Sequence, residues 1–217
     1  HVGGGITCLK LGKGKSAIPG MYVAPGAFGL FAGAFVVKES LFPAYIFALL
    51  LFISALLIFF NKEKNDNIED VVKTEIHVPA FILMCNFLLF AIAIRAFIGL
   101  SISIPWHENI RLMLFLTVAI VCGKFFGGVI ADKFGWIKVT VIALFISSPL
   151  IAFGIKFPLL YITGMFFFNF TMPVTLTALS NIMPRREGFA FGLTTLALVL
   201  GGFPTFYMNK LGTGSEF

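Results

Sequence analysis

Long apolar runs separated by short polar connections dominate the chain. Seven runs of about 20 residues carry almost no charge, and each is long enough as a helix to cross the roughly 30 Å hydrocarbon core of a bilayer. They occupy residues 18–37, 41–60, 78–101, 110–131, 137–155, 159–183 and 188–208. A shorter apolar run lies at residues 1–11. This pattern predicts an all-α membrane protein, a polytopic bundle with about seven complete transmembrane helices.

Composition strengthens this prediction. Hydrophobic residues make up 59% of the chain and charged residues 12%, whereas soluble domains are nearer half and a quarter. Cys8, Cys85 and Cys122 fall in apolar runs without paired spacing, so they are interpreted as packing thiols. No disulfide framework, zinc site or cofactor is expected.

Basic residues in the connections predict the topology, because cytoplasmic loops of membrane proteins hold most of the lysine and arginine. Alternate connections form two sets. The richer set contains Lys10, Lys13, Lys15, Lys62, Lys64, Lys73, Lys133, Lys138, Arg185 and Arg186. The poorer set contains Lys38, Arg111, Lys156 and Lys210. The richer set is therefore assigned to the cytoplasm, and the net charge of +6 indicates topology rather than a nucleic-acid partner.

Residues 61–77 form the most polar stretch and are predicted to be a cytoplasmic linker between two bundles. The predicted divisions are the end of one bundle at 1–60, the linker at 61–77, a second bundle at 78–208 and an extracytoplasmic tail at 209–217. Residues 212–217 are interpreted as either a loop cut short or a cloning scar. Because the chain opens without Met inside an apolar run, we expect its natural start to lie further upstream.

The connection after the run 110–131 contains Gly128, Asp132, Lys133, Gly135 and Lys138. These residues resemble the major facilitator signature G-x-x-x-D-[R/K]-x-G-x-x-[R/K], which members carry after their second helix and often again after their eighth. In physical terms, a carboxylate ends one helix and a glycine turns the chain into the next. The resemblance implies that the five residues form a gating motif.

Two predicted helices separate this motif from the linker, which fits the family's second copy. The resemblance therefore implies that the seven runs are helices five to eleven, that residues 1–11 are the tail of helix four, and that helix twelve is absent. Pro25, Gly26 and Gly29 look like the helix-five signature of the antiporter branch. Residues 1–5 and 95–101 are similar to bacterial efflux members of the fosmidomycin-resistance kind.

Asp132 is expected to lie near the start of helix five, around residues 15–17, because the two bundles of this family are related by pseudo-symmetry. There its carboxylate would face the positive end of a helix, an interaction typically contributing about 0.3–1 kcal/mol. Such a contact would latch one bundle to the other. The alternative role is plain helix capping.

Charged and polar side chains inside the runs are candidates for solute binding. Arg95 and Lys124 lie within predicted spans, where a charge costs about 2.5–3.5 kcal/mol at the helix centre. Each either faces a central cavity or snorkels to the membrane surface. Asn86, Asn169 and Thr171 are further candidates for contacts with solute or with other helices, although for threonine a bond to its own helix is the more frequent arrangement.

Among the acidic residues, Asp132 ends a run and the others fall in connections or at membrane edges. These others are Glu39, Glu63, Asp66, Glu69, Asp70, Glu75, Glu108, Glu187 and Glu216. Because no cluster of His, Cys or carboxylates is predicted at membrane depth, an enzyme is not favoured. Any proton-coupling acid is expected in the absent first helices.

The sequence therefore favours a secondary transporter that moves a small solute by alternating access, as an efflux or ion-coupled carrier in a bacterial inner membrane. Its expected partners are the solute, a coupling proton or ion, and the lipid bilayer. The alternative is a protein with a transporter fold that serves as a receptor or assembly partner. The identity of the solute does not follow from these residues.

Overall fold

The computed structural model describes residues 2–38, 52–53, 78–183 and 185–212, and all regular elements in these ranges are helices. We number the helices in chain order. They are α1 (Val2–Gly12), α2 (Ala17–Val23), α3 (Pro25–Lys38), α4 (Val78–Ser101), α5 (Ile110–Phe134), α6 (Trp136–Gly154), α7 (Pro158–Phe168), α8 (Thr171–Ile182) and α9 (Glu187–Gly212).

Five helices in the described ranges are long and apolar enough to cross a membrane. They are Phe81–Ser101, Ile110–Phe134, Trp136–Gly154, Pro158–Ile182 and Glu187–Thr205. Of these, Pro158–Ile182 covers both α7 and α8. A shorter apolar stretch, Ala17–Gly33, covers α2 and part of α3. These helices match the predicted runs from residue 78 onward and are compatible with an integral membrane protein. Large side chains such as Phe145 and Phe153, which are 82% and 78% exposed, suit an apolar solvent.

Two predicted segments lie largely or wholly outside the described residues. The run 41–60 is described only at residues 52–53, and the linker 61–77 is not described. At the other end of the chain, the tail predicted at 209–217 begins inside a helix, because α9 continues to Gly212. The helix thus extends past residue 208, and residues 213–217 lie outside the described ranges.

Prolines divide two of the predicted spans. The run 18–37 is broken at Ala24, immediately before Pro25, and the run 159–183 is broken between α7 and α8. Pro173 has no N–H to donate to the carbonyl of Asn169, four residues earlier. The Met172 amide instead donates to the Asn169 oxygen at 3.3 Å, a tighter spacing than an α-helix uses. Each span is therefore two helices that meet at an irregular turn.

The connections gather at two opposite ends of the bundle. At one end, Trp106 in the α4–α5 connection donates from Nε1 to the carbonyl of Ile155, just after α6, at 3.1 Å. At the other end, the α1–α2 turn meets both the α5–α6 turn, through Asp132, and the end of α8, through Asn181. We call this second end the Asp132 end. The alternation of connections agrees with helices that run antiparallel across a membrane.

The helices from α4 onward form one packed group, and α1, α2 and α3 lie against it. α6 packs on α7, and α4 packs on α9, while α2 and α3 contact α5, α2 also contacts α8, and α1 contacts α9. We call the boundary between α1–α3 and α4–α9 the seam. Leu9, Val23, Leu176 and Phe191 form a buried apolar cluster across the seam.

Close helix contacts depend on glycine, as at Gly127, where α5 crosses the α7–α8 break. A Cβ placed there would meet the Phe170 backbone, including its carbonyl oxygen at 2.8 Å. Gly127→Ala is therefore expected to force the helices apart and lower stability by about 1–3 kcal/mol. Gly99→Ala on α4 is the matched control, because its Cβ meets nothing within 4 Å.

The thermal unfolding midpoint of the purified protein in detergent checks this prediction. We expect Gly127→Ala to lower the midpoint by several degrees and Gly99→Ala to leave it unchanged. Equal midpoints for the two variants would contradict the close packing of α5 on the α7–α8 break.

Candidate functional site

Asp132 joins the last turn of α5 to the first residues of α2. Its Oδ1 accepts hydrogen bonds from the Ser16 amide at 2.9 Å and from the Trp136 indole Nε1 at 2.8 Å. Its Oδ2 accepts from the Ala17 amide at 2.8 Å. The carboxylate thus lies at the start of α2, the location that the sequence predicted.

Local structure explains why a carboxylate from another helix is needed here. Ser16 occupies the N-cap position of α2, but no side chain caps this helix from within. The first amides of a helix have no partner inside it and carry partial positive charge. Asp132 therefore supplies the capping oxygen atoms across the seam, so that the capping and bundle-joining roles considered for Asp132 describe one contact.

Ser16 adds a second bond between the same helices. Its hydroxyl lies 2.9 Å from Asp132 Oδ1 and 3.0 Å from the Gly128 carbonyl, and its single proton serves one of them at a time. Gly128 permits this approach, because a Cβ there would meet the Ser16 backbone. Nearby, Asn181 Nδ2 donates to the Gly14 carbonyl at 3.1 Å. We call these bonds of Asp132, Ser16 and Asn181 the latch.

Gly135 and the two lysines of the predicted motif have different surroundings. Gly135 adopts φ +98°, a left-handed conformation that lets the chain turn directly from α5 into α6. Lys133 and Lys138 are exposed, and the Lys133 ammonium lies 5.4 Å from the centroid of the Phe134 ring. Neither lysine is among the donors to Asp132, so the helix start rather than a basic flank balances its charge.

Sequence reasoning did not assign roles to Trp136 and Asn181. Trp136 follows Asp132 by four residues, but the turn at Gly135 places them on different helices, so the spacing within one helix did not predict their bond. Asn181 lies at the end of α8, far from the α1–α2 turn along the chain. No sequence pattern pointed to its bond with Gly14.

A cavity of about 400 Å³ lies at the seam, with walls from α2, α3, α4, α5, α8 and α9. Arg95 and Lys124 both line this cavity. Arg95 Nε is buried and has no hydrogen-bond partner among the described residues. Lys124 carries a like charge on the wall of the same cavity. The structure therefore places both candidate cations on the wall of one cavity.

The rest of the cavity wall is mainly apolar, with side chains that include Leu30, Ile92 and Leu198. Threonines contribute hydroxyl groups that are already used within their own helices, as when Thr194 donates to the Phe191 carbonyl at 2.7 Å. No carboxylate is among the described residues that line the cavity. Two cations thus face an otherwise apolar space.

The helix-five signature residues also lie at this cavity. Pro25 is exposed at the first position of α3, and Gly26 and Gly29 line the cavity. A Cβ at either glycine would meet nothing within 4 Å. These glycines therefore leave open space for the cavity instead of permitting close helix contact.

Three candidates do not line the cavity, and each donates a hydrogen bond to a backbone carbonyl three or four residues earlier in the chain. Asn86 is exposed and donates to the Ile82 carbonyl at 2.9 Å. Asn169 and Thr171 are buried beside the α7–α8 break, and their side chains donate to carbonyls three or four residues earlier. Near Pro173 these side chains stabilise the irregular turn, so their proposed contact with solute has no support in this structure.

The latch and the cavity share α5. Lys124 and Asp132 are eight residues apart, which corresponds to about 12 Å along a helix. Between them α2 packs closely, because a Cβ at Gly20 would lie 2.7 Å from the Lys124 carbonyl. Any movement of α2 away from α5 would therefore affect both features.

Among the described residues, no group of three His, Cys, Asp or Glu side chains is placed to hold a metal ion. Comparison with protein-family models, curated proteins and solved structures found no match.

Proposed function

We propose that this protein is a secondary transporter of the major facilitator type, which moves a small solute by alternating access. The observation that carries the proposal is the arrangement at the seam, where a cavity of small-molecule size lies about 12 Å from a set of hydrogen bonds that joins the two helix groups at one end. Alternating access needs both features, a binding space and a closure that can open.

The chemistry of the latch suits reversible closure. Its bonds run between a carboxylate, backbone amides and side-chain donors, and all of these groups can exchange protein partners for water at the membrane surface. The apolar cluster of Leu9, Val23, Leu176 and Phe191 joins the same two groups at greater depth. Breaking the latch would expose the Asp132 end of the cavity.

In this proposal α2 and α3 together are helix five, and α4 to α9 are helices seven to eleven, with α7 and α8 together forming helix ten. The Asp132 end faces the cytoplasm of a bacterial cell. Support comes from the basic residues Lys13, Lys15, Lys133 and Lys138, which lie in or beside the two turns that the latch joins. The protein then acts as an efflux or ion-coupled carrier.

The alternative function is that of a receptor or assembly partner with a transporter fold. Proteoliposomes loaded with a panel of labelled small molecules distinguish the two functions. A transporter moves at least one compound down its gradient, whereas a receptor binds compounds without moving them. Absence of movement for every compound that binds would contradict the transporter proposal.

Filling the cavity from Gly29 tests whether the cavity is the transport site. Gly29→Leu is expected to reduce transport by at least 10-fold, because Gly29 lines the cavity and a Cβ there meets nothing within 4 Å, so the larger side chain takes up cavity space. Gly33→Leu is the matched control, since it lies one turn further along α3, meets nothing within 4 Å and does not line the cavity. Initial uptake rates at equal protein content measure the effect. Equal rates for the two variants would place the transport site elsewhere.

A further inference from the structure

The seam cavity combines two cations with an apolar wall. Arg95 projects from α4 and Lys124 from α5, so the two charges come from two consecutive helices and reach the same cavity. The wall also includes Ile92 on α4, Leu30 on α3 and Leu198 on α9. A ligand for this space must therefore satisfy positive charge at one part and apolar surface at another.

The cations lack compensation within the described residues. Arg95 Nε is buried without a hydrogen-bond partner, and no described carboxylate lines the cavity. Lys124 lines the same cavity and carries the same charge. An unpaired charge in an apolar environment is costly, and two like charges raise the cost. Binding of an anionic group would relieve both penalties at once.

We propose that the cavity binds an organic anion, with an oxyanion group such as a carboxylate between Arg95 and Lys124 and its hydrocarbon part against the apolar wall. The proposal rests on the transport function proposed above and names its substrate class. Arginine presents a planar fork of donors that matches two oxygen atoms of such a group, and lysine adds a point charge. The hydrocarbon part explains why the remaining wall is apolar rather than lined with further donors.

A matched set of probes separates charge from shape. The set is 3-phenylpropionate, 3-phenylpropionamide and 3-phenylpropylamine, which share one hydrocarbon body and carry negative, no and positive charge. Phenylphosphonate tests whether an oxyanion other than a carboxylate also binds. Affinity is measured by isothermal titration calorimetry with the purified protein in detergent. We expect one or both anions to bind at least 10-fold more tightly than the amide, and the amine to bind most weakly.

Substitutions then assign the charge preference to the two residues. Arg95→Gln and Lys124→Gln are each expected to reduce the preference for anion over amide by about 10- to 100-fold, the range of a charge-assisted hydrogen bond. Arg95→Lys keeps the charge and is expected to retain part of the preference. The ratio is taken within each variant, so a change in the fraction of folded protein affects both probes equally.

Two variants control for net charge. Arg111→Gln and Lys156→Gln remove exposed cations at the end opposite the latch, outside the cavity wall, and are expected to leave the ratio unchanged. Equal affinity for anion and amide in the parent protein, or an unchanged ratio in both Arg95→Gln and Lys124→Gln, would overturn the anion proposal.

Failure of this proposal and failure of the transport proposal give different results. If neutral or cationic compounds are transported and Gly29→Leu blocks them, the transport function stands and the anion class is wrong. If anions bind with the expected ratios but no compound moves in proteoliposomes, the anion site stands and the transport function is wrong.

Discussion

Asp132→Asn is expected to slow transport about 30-fold while changing solute affinity less than about 3-fold. The carboxylate of Asp132 accepts one hydrogen bond from the Ser16 amide and one from the Ala17 amide. Asparagine keeps only one acceptor oxygen, and its NH₂ group would face one of these two N–H donors, so that hydrogen bond is lost. A carboxylate at a helix start contributes up to about 2 kcal/mol when partly buried, which corresponds to roughly 30-fold in the equilibrium between latched and open forms. The cavity lies about 12 Å away and keeps its own contacts.

Initial transport rates and equilibrium binding of the same compound check this prediction. Glu108→Gln is the matched control, because Glu108 is an exposed carboxylate in the α4–α5 connection at the opposite end. Parallel loss of rate and affinity in Asp132→Asn would indicate that Asp132 supports the binding site rather than the closure. An unaltered rate would remove the latch from the transport cycle.

Covalent closure of the latch is expected to abolish transport. A Cβ on Gly14 would lie 3.7 Å from Asn181 Cγ, so Gly14→Cys and Asn181→Cys place two thiols within reach of a short bifunctional methanethiosulfonate. The bridge would join the α1–α2 turn to the end of α8 and prevent the Asp132 end from opening. Transport is expected to fall to background after cross-linking and to return after dithiothreitol.

The cross-linking experiment uses a background in which Cys8, Cys85 and Cys122 are replaced, since all three are free thiols. Each single cysteine variant treated with the same reagent controls for labelling alone. It also controls for strain at Gly14, whose φ of +82° disfavours other residues. Full transport by the cross-linked protein would show that the Asp132 end need not open.

The latch was predictable in part because a motif encodes it locally. The residues from Gly128 to Lys138 specify a helix end, a carboxylate and a glycine turn, and the expected meeting of Asp132 with residues 15–17 is confirmed. The donors were not all predictable. Trp136 and Asn181 join the latch through geometry that depends on how α5, α6 and α8 are placed around α2.

For the cavity, the sequence predicted two candidate residues but not the cavity itself. The sequence identified Arg95 and Lys124 as charges inside apolar runs, but it left each free to face either a cavity or the membrane surface. It also ranked Asn86, Asn169 and Thr171 beside them, and the structure places none of these three on the cavity wall. Side-chain chemistry does not determine whether a residue faces a cavity or another helix. That depends on how the neighbouring helices pack, and breaks at proline change this packing.

The sequence by itself determined that the described chain forms apolar helices of membrane length, because run length and the absence of charge depend only on local composition. It also determined that their connections alternate between two ends. Only the tertiary structure decided that Asn181 contacts the α1–α2 turn and that Arg95 and Lys124 share one cavity. Those contacts join residues that are distant in the chain, and the packing of one helix against another, rather than any local preference, brings them together.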